Sequence, residues 1–233
     1  MTSTAREVSQ RRPLPVEKSA SRRLALVRPL ALATDAVLVT GVIDRDPAAI
    51  EAFYDRHAGY VRRVLVRILG TERELPDLEH DVFLRAFRSI GTLKDPSSVK
   101  AWLAGIAVFA AKSLIQRRTR GRWLRFVSPD EVPEVEAGHA SEEVNEAVRA
   151  TYGALDRLPV DERIAFALRV IDGMELTEIA SVCGVSLSTV KRRVARGEER
   201  FVGIARSHPA LIGWVEGGAR WGATADPSKT SAS

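Results

Sequence analysis

Apolar residues recur at three- and four-residue intervals along most of this chain, and no stretch sustains the alternation of a strand. The first regular stripe is Ile50, Phe53, Tyr54, His57, Val61, Val64, Leu65 and Ile68. Asp46 followed by Pro47 gives that helix an N-cap and a proline at its first position, where a missing N–H costs nothing. Gly70 supplies the stop. A second helix is predicted from about Pro76, with Leu75, Val82, Phe83, Ala86, Phe87 and Ile90 on one side and Asp77, His80, Asp81, Leu84 and Arg88 on the other. A third, from about Ser98 to Arg118, is almost wholly apolar between Trp102 and Ala111 and then turns basic at Arg117, Arg118, Arg120 and Arg122. Such a helix is buried for most of its length and offers a cationic end.

The composition then switches. Between Ser128 and Glu143, prolines, a glycine and small residues surround Asp130, Glu131, Glu134, Glu136, Glu142 and Glu143, with no Lys or Arg among them. This reads as an acidic linker. Beyond it Val144, Ala147, Val148, Thr151 and Leu155 form another helical stripe, broken at Leu158-Pro159. Asp161 is placed to cap the next helix, which carries Ile164, Leu168 and Ile171 inward and ends at Asp172-Gly173. Two short helices joined at Gly184 follow. The expected fold is all-α: two helical domains, residues 46–126 and 143–203, joined by the acidic linker 127–142. Residues 1–45 form a basic, partly disordered arm, with order beginning near Asp46, and residues 204–233 form a tail. Trp214 and Trp221 in that tail mark either a docking segment or one that packs back on the second domain.

With 233 residues, 45% of them hydrophobic, the chain can bury two modest cores. Thirty-five Lys and Arg against thirty Asp and Glu leave a formal charge of +5, which favours a polyanion such as nucleic acid, or an acidic surface, as partner. Cys183 is the only cysteine, so an intrachain disulfide and a Cys-rich zinc site are excluded by counting, and a reducing, cytoplasmic setting is expected. Its place before the turn glycine predicts a core cysteine. The stretch from Leu24 to Ile43, preceded by the twin-arginine-like Ser21-Arg22-Arg23-Leu24, is apolar but interrupted by Arg28, Pro29 and Asp35. A spanning helix needs about 20 apolar residues, so membrane insertion is not expected, and a short helix lying on the first domain is the simpler reading.

The densest chemical signal runs from Glu178 to Arg193. A helix-turn-helix needs a small residue where its helices touch, a glycine able to take positive φ at the turn, and an apolar residue facing back from the second helix. Ala180, Gly184 and Val190 meet those needs in order. Ser186 is placed to cap the second helix, and Val190 and Val194 point inward. Ser188, Thr189, Lys191, Arg192, Arg193 and Arg196 remain to face phosphates and base edges in a major groove. The competing reading is a helical hairpin with a solvated basic face.

Two further motifs, in order, give the chain a family resemblance. Leu155-Asp156-Arg157-Leu158-Pro159-Val160-Asp161-Glu162-Arg163, just ahead of the helix-turn-helix, resembles the start of sigma region four. Residues 77–87, Asp-Leu-Glu-His-Asp-Val-Phe-Leu-Arg-Ala-Phe, resemble the polymerase-binding helix of sigma region two. Residues 46–202 are thus similar to the extracytoplasmic-function (ECF) sigma factors of the sigma-70 family. The resemblance implies a three- to four-helix bundle followed by a four-helix domain, and a transcription initiation factor that binds core RNA polymerase and promoter DNA. It implies that Asp77, His80, Asp81, Leu84 and Arg88 face polymerase, and that Trp102, Phe109, Lys112, Gln116, Arg117 and Arg118 meet the minus-ten element, with a core role for the two aromatics as the alternative. The recognition helix, Ser186 included, would read the minus-thirty-five element while the linker sets the separation of the domains. An anti-sigma protein is a further implied partner. The chain departs from the family where Phe109 replaces the usual asparagine, Ser113 aspartate, Gln116 arginine and His80 glutamine, so promoter sequence does not carry over from relatives. Glu175 stands where a serine-type cap is common, which predicts a frayed helix start.

No cofactor, metal or catalytic residue is expected: His57, His80, His139 and His208 are scattered, and there is no Gly-rich phosphate loop. The alternative within transcription is a helix-turn-helix regulator that binds duplex DNA without stably binding polymerase; another is a pure interaction protein.

Overall fold

A computed structural model describes residues 33–70, 74–124 and 142–216. The basic arm up to residue 32, most of the acidic linker and the tail beyond residue 216, Trp221 included, lie outside the described residues. Among those described, every regular element is helical.

Four helices build the first module: α1 (Asp35–Ile43), α2 (Pro47–Leu69), α3 (Leu75–Ser89) and α4 (Val99–Leu124). The first starts well before Asp46. Thr34 caps it by accepting from the Val37 amide, and Leu38, Val39 and Val42 are buried, so the end of the apolar stretch Leu24–Ile43 packs on α2. Asp46 accepts from the Ala48 N–H at 3.1 Å ahead of Pro47, and Gly70, at φ +85°, ends α2. The third helix buries Leu78, Val82, Phe83 and Ala86. It also buries Glu79, whose carboxylate accepts from Arg62 Nε at 2.7 Å and the Tyr54 hydroxyl at 3.0 Å, giving the buried charge partners. Two 3₁₀ turns, Ile90–Thr92 and Pro96–Ser98, lead into α4. That helix is long and apolar enough to cross a membrane, yet half of the relevant stretch is buried in the module's core, through residues such as Leu103, Ala107 and Ala111.

The second module holds α5 (Glu142–Leu155), α6 (Val160–Phe166) continued by a π turn to Ile171, α7 (Leu176–Cys183), α8 (Leu187–Ala205) and α9 (Pro209–Glu216). Phe166 and Phe201 stack at 5.0 Å over Leu155 and Ala205, and Leu211 of α9 is buried in the same cluster. Asp161 does not cap α6. Pro159 is the cap residue and has no side-chain group to offer the first-turn amides, while Asp161 lies inside the first turn with its carboxylate on Lys112 and Arg193.

The linker does not hold the modules apart in this structure; they share a core. Ile164, Leu168, Met174, Ile179, Val182 and Val190 belong to one apolar cluster with α2, α3 and α4. Polar contacts cross the same seam. The Tyr152 hydroxyl donates to the Val66 carbonyl at 2.9 Å and Arg163 Nε to the Ile68 carbonyl at 3.0 Å. Those carbonyls lie in the last turn of α2; the Val66 oxygen also accepts from the Gly70 N–H at 2.8 Å, so Tyr152 adds a second donor to it. Gly70 is required there twice over: its φ disfavours other residues, and a Cβ would sit 3.0 Å from the Tyr152 ring.

His57 is completely buried on α2, its ring 4.7 Å from that of Phe53. Its Nε2 lies 3.4 Å from Asp35 Oδ1 without hydrogen-bond geometry, and Arg56 holds the same oxygen at 3.1 Å. Burial pushes the imidazole pKa below 6.5 and outweighs the pull of Asp35 in the other direction. The native ring is therefore neutral, and below about pH 6.5 the unfolded chain takes up a proton that the native one resists. Stability should fall as pH drops from about 7.5 to about 5.5, and part of that fall should be absent in His57→Leu. Denaturant midpoints of the two chains across this range check it; identical pH dependence would refute it.

Candidate nucleic-acid interface

The helix-turn-helix is built from local chemistry. At the end of α7 the Val185 N–H returns to the Ala180 carbonyl at 3.0 Å, closing the helix around Gly184, which takes φ +64° and ψ +36°. No side chain caps the start of α7; Glu175 instead reaches Arg169 at 3.3 Å. The start of α8 is capped by Ser186, whose Oγ accepts from the Thr189 amide at 3.3 Å and lies 3.0 Å and 2.9 Å from the hydroxyls of Ser188 and Thr189. Val190 is fully buried. Cys183 is half-buried, and burial pushes its thiol pKa up, as suits a packing residue rather than a reactive one.

These contacts sort the residues of the recognition helix. Ser188, Lys191, Arg192 and Arg196 are exposed and fall on one side of α8. Ser186 and Thr189 are engaged in the cap. Arg193 turns the other way, to Asp161, with 2.8 Å between Nη2 and Oδ2. Leu187, partly exposed at the first position of α8, was missed by a reading that looked only for polar groups.

On the first module, Asp77, His80, Asp81, Leu84 and Arg88 are all exposed, and the opposite side of α3 is buried. The six residues singled out on α4 fare differently. Phe109 is 62% exposed with the Arg85 guanidinium 5.5 Å from its ring centre, whereas Trp102 is half-buried against the core. Lys112 is paired with Asp161 at 2.7 Å and Arg118 with Glu74; Gln116 is half-buried and Arg117 exposed. Lys112, Asp161 and Arg193 stand 49 and 32 residues apart in sequence along their two bonds, and no local pattern announces the contact.

A bundle with a polar-faced helix, followed by a helix-turn-helix with a basic face, is the arrangement the sequence motifs called for. Residues 53–121 match the family Sigma-70 region 2, and residues 149–201 match Sigma-70, region 4, together more than half of the chain. The chain belongs to the sigma-70 family, as an ECF sigma factor. It is 28% identical over 175 residues to the ECF RNA polymerase sigma-E factor of Escherichia coli (strain K12), a match covering 71% of this chain and 91% of that one. It is 30% identical over 172 residues to the ECF RNA polymerase sigma factor SigE of Mycolicibacterium smegmatis, covering 70% and 65%. Among solved structures it is similar to CnrH in complex with the cytosolic domain of CnrY (TM-score 0.52, 20% identity, 73% of this chain and 96% of that one). It is also similar to the sigma factor RpoE in complex with the anti-sigma factor NepR from Bartonella quintana (TM-score 0.53, 22% identity, 67% and 96%). These likenesses to solved structures bear on the fold. As a sigma factor the chain binds core RNA polymerase and directs promoter recognition in transcription initiation.

The cap geometry separates neighbouring hydroxyls of this sigma factor. Ser186→Ala should cost about 1 kcal/mol of stability by freeing an amide at the start of α8, whereas Ser188→Ala should stay within about 0.5 kcal/mol of the native chain. Chemical denaturation measures both, and equal effects would contradict the assignment of the cap.

Proposed function

We propose that this sigma factor docks on core polymerase through Asp77, His80, Asp81, Leu84 and Arg88, reads the minus-thirty-five element with α8, and helps to open the minus-ten element with α4. The observation that carries the reading is the division of α3: every residue of the proposed docking face is exposed, and Leu78, Val82, Phe83 and Ala86 lie buried on the side toward the core. Leu84, 37% exposed among charged neighbours, has the character of an interface anchor. On α8 the exposed Ser188, Lys191, Arg192 and Arg196 supply phosphate and base contacts, and Leu187 an apolar contact for a thymine methyl. Ser186 and Thr189 act by holding the start of that helix. On α4 the exposed ring of Phe109 offers a stacking platform for an unpaired base, beside Lys112, Gln116, Arg117 and Arg118, with Trp102 supporting it from the core side. The domain division 46–126, 127–142 and 143–203 fits these roles, with α1 as an addition to the first domain and α9 to the second.

The factor acts as an initiation factor and not as an enzyme, in the cytoplasm where polymerase and chromosome meet. Its similarity to two sigma factors solved with bound proteins, one of them named an anti-sigma factor, supports an anti-sigma partner here too. No observation favours a regulator that works without polymerase.

The purified chain mixed with core polymerase and genomic fragments should yield new, mapped transcript starts. Leu84→Arg should weaken core association by at least about tenfold. Lys191→Glu with Arg192→Glu should leave core association intact but abolish start-site selection and flatten the salt dependence of duplex binding by about two in log–log slope. A chain that forms no complex with core polymerase sinks the proposal.

A further inference from the structure

Where the basic end of α4 passes the turn between α5 and α6 and the body of α8, the surface folds into a cleft of about 690 Å³. Its floor is apolar, with Ile115 and Leu158 buried and Pro159 and Val160 beside them. Three arginines from three separate segments border it: Arg120 of α4, Arg157 of the turn and Arg200 of α8. Clefts of about 300–1,000 Å³ with an apolar lining and a few convergent polar groups are the usual form of a small-molecule site.

The charge around this cleft is of one sign. Asp156 is the one carboxylate on its wall among the described residues, and the buried Arg163 already holds it. Arg200 is aimed by Glu162, whose Oε2 lies 2.9 Å from its Nε, which leaves the terminal nitrogens of the fork to a ligand. Arg120 donates its Nε–H to the Gln116 carbonyl at 3.3 Å, with the same result. Arg157 is exposed, and among the described residues no carboxylate pairs with it. Guanidinium forks match phosphate oxygens two at a time, and three forks converging from three segments suit a chain of phosphates. A flat ring suits the floor between them. Gln116, half-buried at the edge, has an amide able to pair with a heterocycle.

We propose that this cleft binds a nucleoside polyphosphate, its phosphates on Arg120, Arg157 and Arg200 and its base on the floor of Leu158 and Val160. The site uses none of the α8 side chains assigned to promoter DNA, and Gln116 alone is shared with the proposed minus-ten surface. The inference therefore goes beyond the promoter-reading assignment and does not rest on it.

The full chain titrated with ATP in a calorimeter at physiological salt should show saturable binding of one nucleotide per chain. Inorganic tripolyphosphate, which carries the charge and no ring, should bind about tenfold more weakly. Arg120→Ala and Arg157→Ala should each lower the affinity for ATP about tenfold, as the loss of a charge-assisted phosphate contact does. Arg206→Ala, which removes an exposed cation at the end of α8 outside the cleft, should leave it unchanged. All three side chains are exposed, so the variants should keep the native circular dichroism. No saturable binding of ATP, or equal weakening in all three variants, would overturn the site. Equal affinity for ATP and tripolyphosphate would overturn the assignment of the floor to a base. A single-stranded oligonucleotide that binds where ATP does not, and is lost in Arg120→Ala and Arg157→Ala, would give the cleft to a DNA strand instead. Because the titration contains neither polymerase nor promoter, a chain that binds ATP but never associates with core polymerase counts against the promoter-reading assignment and not against this site.

Discussion

The last turn of α2 presents its carbonyls to the second module, which supplies side-chain donors to two of them, Val66 in addition to its bond from the Gly70 amide. Tyr152 and Arg163 donate to Val66 and Ile68 across the seam, and Arg163, 3% exposed, is neutralised by Asp156 of its own module. A buried guanidinium left without these partners would be strongly destabilising, so this end of the seam has only one good arrangement. The cation also faces the negative end of the α2 dipole, where positive charge is favoured. Gly70 belongs to the same device, because any side chain there would displace the Tyr152 ring that carries one of the two donors.

From that fixed end the seam grades toward a weaker one. Its middle is apolar, with Ile179, Val182 and Val190 fully or almost fully buried, and its far side is the half-exposed cluster at Asp161. Screening acts within a Debye length of about 8 Å at physiological salt, so ionic strength loosens the far side first and leaves the apolar middle largely untouched. The polar face of α3 is exposed while the modules are together.

The sequence revealed the elements whose signals are local. Asp46-Pro47 and Gly70 bound α2, Gly184 turns the helix-turn-helix, and Ser186 caps its second helix, each through contacts within five residues. The exposed side of α3 was legible for the same reason, since it needs only the helical period. What sequence could not show is what pairs across distance. Asp161 has the local look of a helix cap and is instead a bridge between helices far away in the chain, and Arg193 sits in a basic run yet turns from its neighbours to meet it. Helix α1 was expected only as an appendage because Arg28 and Pro29 broke its pattern upstream. It docks through buried Leu38, Val39 and Val42, with Asp35 meeting Arg56 at its start, again a long-range pairing.

Phe109 shows how a departure from the family pattern alters the chemistry proposed for this site. Its ring is the most exposed of the large apolar side chains among the described residues, on a helix otherwise devoted to the core. The asparagine that the family resemblance would place there offers an amide that can read a base edge; a phenyl ring offers only a face. Stacking on such a face is worth about 1–3 kcal/mol per base and tolerates every base. Arg85, over the same ring, adds a cation next to the stacked position and lies on α3, the helix proposed to meet polymerase. In that proposed role, strand capture here leans on stacking and charge, so sequence discrimination must fall more heavily on the exposed side chains of α8.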